Sequence, residues 1–444
     1  MNKRYNIQLF FTFLIVIQSI SGFAQTKPDV WTLRSCIDYA RQHNLQVRSA
    51  RIASESGEVD RKEAKAKLFP SLVFSSSQGW SFQKKEQEGG DFKSQDAYTG
   101  SYALNAGMTL YNGGRLKKSI RQQELTHQAL TYEVAVAENE IEIAVTEGYL
   151  QILYANEALK TNRQTVETSK AQLERSKALY EAGSIAISDY AQMEAQYSND
   201  LYQVTVAENA LAAAKLALRQ LLELELNDPF ELFFPELAND AVLTVVPSIA
   251  TVYNKALEVM PEMKRSRLTV EAAALQEQMA AANRLPNVAL NASVSTNHDS
   301  ESEHSFSKQI NNRLSENLGI SISLPISQNR QVKSAVEKAR LQTESARLEE
   351  LNMRKALLKT IETLHQDVLS AQSRYTSASR SLRSATLSYR LVQEQFDAGM
   401  KNTVELLTEK NNYLSALQEQ LQAKYQALLS IRLLNFYQNQ PIEI

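Results

Sequence analysis

Apolar and polar positions along this chain follow two periods, and the same succession of periods occurs twice. Over residues 98–111 the even positions include Tyr98, Tyr102, Leu104, Ala106, Met108 and Leu110, while the odd ones include Thr99, Ser101, Asn105 and Thr109. Residues 314–326 alternate likewise, setting Leu318, Ile320, Ile322, Leu324 and Ile326 against Ser315, Asn317, Ser321 and Ser323. Segments 71–82 and 287–297 complete the set. A period of two predicts strands with one apolar and one small polar face. Their lengths suit the roughly 9 to 11 residues that cross a bilayer at a tilt, apolar face to lipid and polar face to water. Four strands cannot close on themselves, and a bilayer tolerates no open strand edge, so sister chains must complete a barrel. Two chains supply about eight strands, whose side chains nearly fill the interior, whereas three supply about twelve and leave a passage.

Elsewhere the period is seven. Residues 115–180 hold no proline and a single glycine, Gly148, which predicts one continuous helix of about 100 Å. Val145, Ile152, Leu159, Val166, Leu173 and Tyr180 form its coiled-coil seam. Three positions on from successive seam residues stand Gly148, Ala155, Asn162, Ser169 and Ser176, small enough for a partner helix to come close. Return helices carry heptads of their own, at Tyr190, Tyr197, Val204, Leu211 and Leu218 and at Leu407, Leu414, Leu421 and Leu428. Gly183 and Gly399 precede them, where a helix ends in a left-handed residue and turns back.

A shift of 216 positions lays one half of the chain on the other. Pro70 falls on Pro286, Gly183 on Gly399, and the seam on Ile361, Val368, Tyr375, Leu382, Tyr389 and Phe396. Each copy reads as a polar helix (33–68 and 249–285), a proline that stops it, a strand hairpin and a helical hairpin (about 114–226 and 330–437). The expected division is a first repeat over 25–228, a connector or small equatorial element over 229–247 with three prolines, and a second repeat over 248–444. The expected fold is therefore mainly α: long antiparallel coiled-coil hairpins forming an α-barrel, with four transmembrane β-strands per chain.

Composition agrees with long elements. Glycine (13) and proline (9) make up about 5% of 444 residues, against roughly 12% in average proteins. Lys3 and Arg4, an apolar stretch at 9–17 and a small-residue exit before Gln25 predict a signal peptide over 1–24. A net charge of −2 gives no expectation of a nucleic-acid partner. Cys36, the single cysteine, reads as a small apolar helix residue. The joining segments 83–97 and 297–313 read as exposed loops; His298, Asp299, Glu301, Glu303 and His304 match no ligand motif, so a solvated loop is expected there. Without HExxH, GxSxG, a phosphate-binding loop or a Cys/His/Asp grouping, neither an enzyme nor a cofactor is expected. Trp80, Phe82, Tyr98 and Tyr102 stand where an interfacial aromatic girdle is expected.

On these residues the chain resembles the TolC-like outer membrane efflux channel family. The helix-proline-strand junctions at Pro70 and Pro286, the run Leu110-Tyr111-Asn112-Gly113-Gly114-Arg115 after the second strand, and the glycine-led tips carry the resemblance over nearly the whole mature chain. It implies a homotrimer in outer membrane lipid, a helical tunnel across the periplasm, and passive exit of cargo delivered by an inner-membrane transporter through a periplasmic adaptor. Adaptor contacts would fall at Gly183, Ser184, Ile185, Gly399 and Met400, and an acidic entrance at Glu405, with Asp189, Lys401 and Glu409 beside it. The family's second acidic position is Thr408 here, with Glu409 one step beyond. Asp189 and Glu405 share one repeat position in the first turn of a return helix, where an acid also serves as a cap. A structural or adhesive coiled-coil surface protein is the competing reading; it accounts for heptads but not for paired strands at a fixed offset.

Overall fold

A computed structural model describes residues 30–86, 90, 92–235 and 242–442. The expected signal peptide lies outside the described residues. The polar helical stretch of each repeat is divided in two: α1 (Leu33–His43) and α2 (Leu45–Ala66), then α5 (Ile249–Val259) and α6 (Pro261–Ala282). Each was expected to run unbroken. Both breaks fall at one repeat position, Asn44 and Met260, and their causes differ. Asn44 turns its side chain on Gln46 N–H as a cap, whereas Pro261 can only begin a new helix.

Pro70 and Pro286 hand over to β1 (Ser71–Glu86) and β3 (Asn287–Asp299), which pair with β2 (Phe92–Tyr111) and β4 (Ser315–Ser323). The four strands form one antiparallel sheet in the order β1-β2-β3-β4, so that the β2–β3 ladder joins the two repeats. Two expectations need correcting. Segment 83–97 is mostly strand, with Lys84 paired to Ser94 and Glu86 to Phe92, because the backbone ladder continues beyond the apolar pattern. Segment 297–313 contains the end of β3 and a short helix, α7 (Phe306–Asn312). β4 stops at Ser323 rather than 326, just before Pro325, which has no N–H to give a ladder.

The long helices are α3 (Arg115–Glu181) and α8 (Gln331–Asp397), each of 67 residues and offset by 216, returning as α4 (Ile187–Leu221) and α9 (Thr403–Phe436). Seam residues Val145, Ile152, Leu159, Ile361, Val368 and Tyr375 are buried, as are the small residues Ala155, Ser169 and Ser176, whereas toward the tips Val166, Leu173, Leu382, Tyr389 and Phe396 are only partly covered and Tyr180 is exposed. The main core gathers where α1, α5 and the connector meet the middle of the long hairpins. There Trp31 N–H donates to the Glu231 carbonyl at 2.7 Å, Phe233 N–H to the Trp31 carbonyl at 2.9 Å, and the Tyr149 hydroxyl to the Phe233 carbonyl at 2.5 Å. Cys36 lies in this core, and burial pushes its thiol up to about 12, so it packs as a small apolar group.

Candidate functional site

Two regions carry the chemistry, one at each end of the long hairpins. In the sheet, register brings Phe74, Leu104 and Val294 side by side, a row that ends in Glu316 at the top of β4, then Leu72, Ala106, Ala292 and Leu318 one step lower. Leu290 and Ile320 pair below those. These side chains share one face and remain open, with Phe74 67% and Leu318 78% exposed. The opposite face holds Ser75, Asn105, Asn291, Ser293 and Asn317. Such an apolar band on one side and a small polar lining on the other is what a strand between lipid and water needs. Among the described residues no helix is long and apolar enough to cross a membrane.

The aromatic group at the outer end is wider than sequence alone showed. Trp80 packs on Tyr98 at 5.7 Å and Phe82 at 6.4 Å, and His298 extends the cluster by stacking on Tyr102 at 6.0 Å and meeting Phe306 of α7 edge-on at 4.8 Å. His298 is 8% exposed, so it is not part of a solvated loop. It lies over Gly100, where an added Cβ would meet the ring at 2.2 Å. Gln309 ties α7 back to β3 through Asp299 N–H and the Asp299 carbonyl, and Arg313 pairs with the Asp299 carboxylate at 2.6 Å. Among the described residues, no group of His, Cys, Asp and Glu is arranged to hold a metal ion.

At the far tips both long helices end in the same way. Gly183 at φ +71° and Gly399 at φ +76° close a double bond pattern, with Ser184 N–H donating to Leu179 and Met400 N–H to Gln395, each at 2.8 Å. In α9 the Asn402 side chain accepts from Glu405 N–H at 2.9 Å while Glu405 accepts from Asn402 N–H at 3.1 Å. Lys401 donates to the other oxygen of Glu405, and these bonds hold its carboxyl below the usual carboxylate range. Asp189, at the matching place in α4, accepts more weakly from Ala186 N–H at 3.4 Å. Glu409 accepts from Ser388 Oγ at 2.7 Å. Glu405 and Lys401 thus stand together, while Asp189 and Glu409 belong to separate local networks.

Sequence reasoning missed the links between the hairpins. Lys410 of α9 donates to Asp200 of α4 at 2.8 Å, the two residues being only 2% and 3% exposed. Gln196 satisfies the second Asp200 oxygen at 2.8 Å. Arg175 pairs with Asp397 at 2.7 Å and donates to its carbonyl at the end of α8, and Gln172 donates to the Tyr389 hydroxyl at 3.2 Å. A signal was present: Met193, Asp200 and Ala207 recur every seven residues and are all buried, so an acid occupies a packed position of α4.

The outer membrane efflux protein family model matches residues 36–223 and 252–436, in two segments that follow the repeats. The chain belongs to the outer membrane efflux protein family. As a member it is an outer membrane channel protein whose helical part stands in the periplasm. It is 23% identical over 444 aligned positions to alkaline protease secretion protein AprF of Pseudomonas aeruginosa, covering 98% of this chain and 88% of that protein. With outer membrane protein TolC of Escherichia coli K12 it shares 21% identity, over 94% of this chain and 84% of the relative. The solved structure of VceC from Vibrio cholerae has the same fold, with a TM-score of 0.78 at 15% identity over 93% and 97% of the two chains.

Proposed function

We propose that three copies of this chain close a twelve-stranded barrel continued by a tunnel of twelve long helices, a passive exit duct fed by an inner-membrane transporter through a periplasmic adaptor. The observation that carries this reading is the direct continuity of an amphipathic four-stranded sheet with two 67-residue helices. β1 and β4 are sheet edges, and a neighbouring copy supplies what each lacks. The similarity to a protein named for protease secretion supports export as the purpose. In this reading residues 25–228 and 248–444 act as equivalent arms joined by 229–247, behind a signal peptide at 1–24.

The adaptor meets the tips at Gly183, Ser184, Ile185, Gly399 and Met400, next to the exposed apolar side chains of Ile187, Met400 and Val404. Glu405 and Lys401, with Asp189 and Glu409 nearby, narrow the entrance, and the Asp200–Lys410 pair holds the two hairpins of each copy together behind it. The test is extraction in detergent, electrophoresis before and after boiling, and reconstitution in a planar bilayer. A trimer band lost on boiling and stepwise conductance are expected. A monomer that remains dissolved without detergent overturns the reading.

A further inference from the structure

Where the sheet meets the helices, a cavity of about 800 Å³ opens on the small polar face of the strands. Its strand lining includes Ser71, Thr109 and Asn291, so by register it lies on the water side, away from Leu72, Leu104 and Leu318. The charged side chains lining it are Lys67 after α2, Arg115 at the start of α3 and Lys338, the eighth residue of α8; among the described residues no carboxylate lines it. Lys67 is paired with Glu63 at 2.8 Å. Arg115 donates to the amide oxygen of Asn283, and among the described residues neither Arg115 nor Lys338 meets an acid. Arg115 is the first residue of α3, where the partial positive charge of the helix N-terminus disfavours a cation and adds to the local potential. Positive charge thus stands at the barrel end of the long helices, while the tip at their opposite end carries Glu405.

We infer that the junction between barrel and tunnel is a basic collar that binds multiply charged anions in transit, phosphate- or carboxylate-bearing, through Arg115 and Lys338 repeated around the trimer. The inference rests on the channel reading above. Rings of Arg and Lys are the means by which pores favour anions, and low-dielectric walls focus their field. Lys338 is exposed and outside the buried core, so its charge can be changed without disturbing that core.

The experiment uses full-length trimer in a planar bilayer at 0.1 M KCl, with tripolyphosphate or citrate added to each chamber in turn. Block is read relative to each protein's own conductance without polyanion. Block by tripolyphosphate is expected in the wild type, with the half-blocking concentration raised about tenfold or more in Lys338→Glu and kept within about twofold in Lys338→Arg. Raising KCl to 1 M shortens the screening length to about 3 Å and should abolish the effect. Block by citrate as well assigns the collar to charge alone; block by tripolyphosphate alone assigns it to phosphate. Conductance with no block, or equal block in wild type and Lys338→Glu, overturns the collar while leaving the channel intact. No conductance from a folded wild-type trimer refutes the channel reading itself.

Discussion

The Asp200→Ala substitution removes one half of an ion pair sealed between α4 and α9. Lys410, 2% exposed, then loses the one acid it pairs with among the described residues, and Gln196 loses its acceptor. Breaking a buried pair by deleting one partner costs about 3 to 5 kcal/mol, because the surviving charge remains desolvated and unpaired. At about 1.4 kcal/mol per factor of ten, local opening between the hairpins becomes roughly a hundred to several thousand times more frequent. Few other links join α4 to α9, so the loss is not shared widely. Amide hydrogen exchange over residues 193–207 and 403–414 in detergent reads it, since protection there falls in proportion to opening. The double replacement Asp200→Leu with Lys410→Met exchanges the pair for packing and should restore protection or exceed it. Unchanged exchange in Asp200→Ala, or a double variant as labile as the single one, refutes the reasoning.

Ile320→Lys places a charge on the open apolar face and should cost about 2 to 4 kcal/mol at mid-bilayer, read as lost heat-sensitive trimer on unboiled gels; normal yield counts against the face assignment. The Glu405 carboxyl is held low by Lys401 and Asn402 N–H, so its contribution to the α9 cap is complete above the ordinary carboxylate pKa and disappears as pH falls through the lower folded value. Exchange protection at residues 402–406 should therefore fall on acidification in the wild type and vary less with pH in Glu405→Gln; identical profiles would remove Glu405 from the cap. Gly113→Ala forces a Cβ to 2.9 Å from Leu285 at φ +67° and should lower thermal stability by at least the roughly 1 to 2 kcal/mol of a left-handed non-glycine residue, measured by differential scanning in detergent. Arg330→Gly relieves the same kind of strain, at φ +65°, and should raise stability by up to about 1 kcal/mol by the same scan.

Much of this architecture can be read in the sequence because its punctuation residues have single meanings. Pro70 and Pro286 cannot continue a helix, and Gly183 and Gly399 adopt the left-handed backbone that ends one, so the elements change where those residues stand. Asn44 was opaque because its neighbours keep a helical pattern and the break depends on its side chain turning back onto the backbone. Met260 falls on the same repeat position, and Pro261 marks it only once a helix is known to begin there. The tips were legible as positions, yet the partners of Glu405 and Asp189 differ because Asn402 caps α9 where α4 has Ala186. The Asp200–Lys410 pair joins residues 210 apart, and no local period states which packed acid faces which packed base.

β1 has 16 residues and β4 has 9, and β4 begins level with Ser75, the fifth residue of β1. When copies join edge to edge, the short strand of one runs out beside the long strand of the next. If three copies close the barrel as proposed, the upper part of each first hairpin would rise above the neighbouring β4 and give the mouth of the pore a notched rim. In such an assembly those hairpin ends would lie outside the ladder that closes the wall, so their sequence could change without loosening the rest.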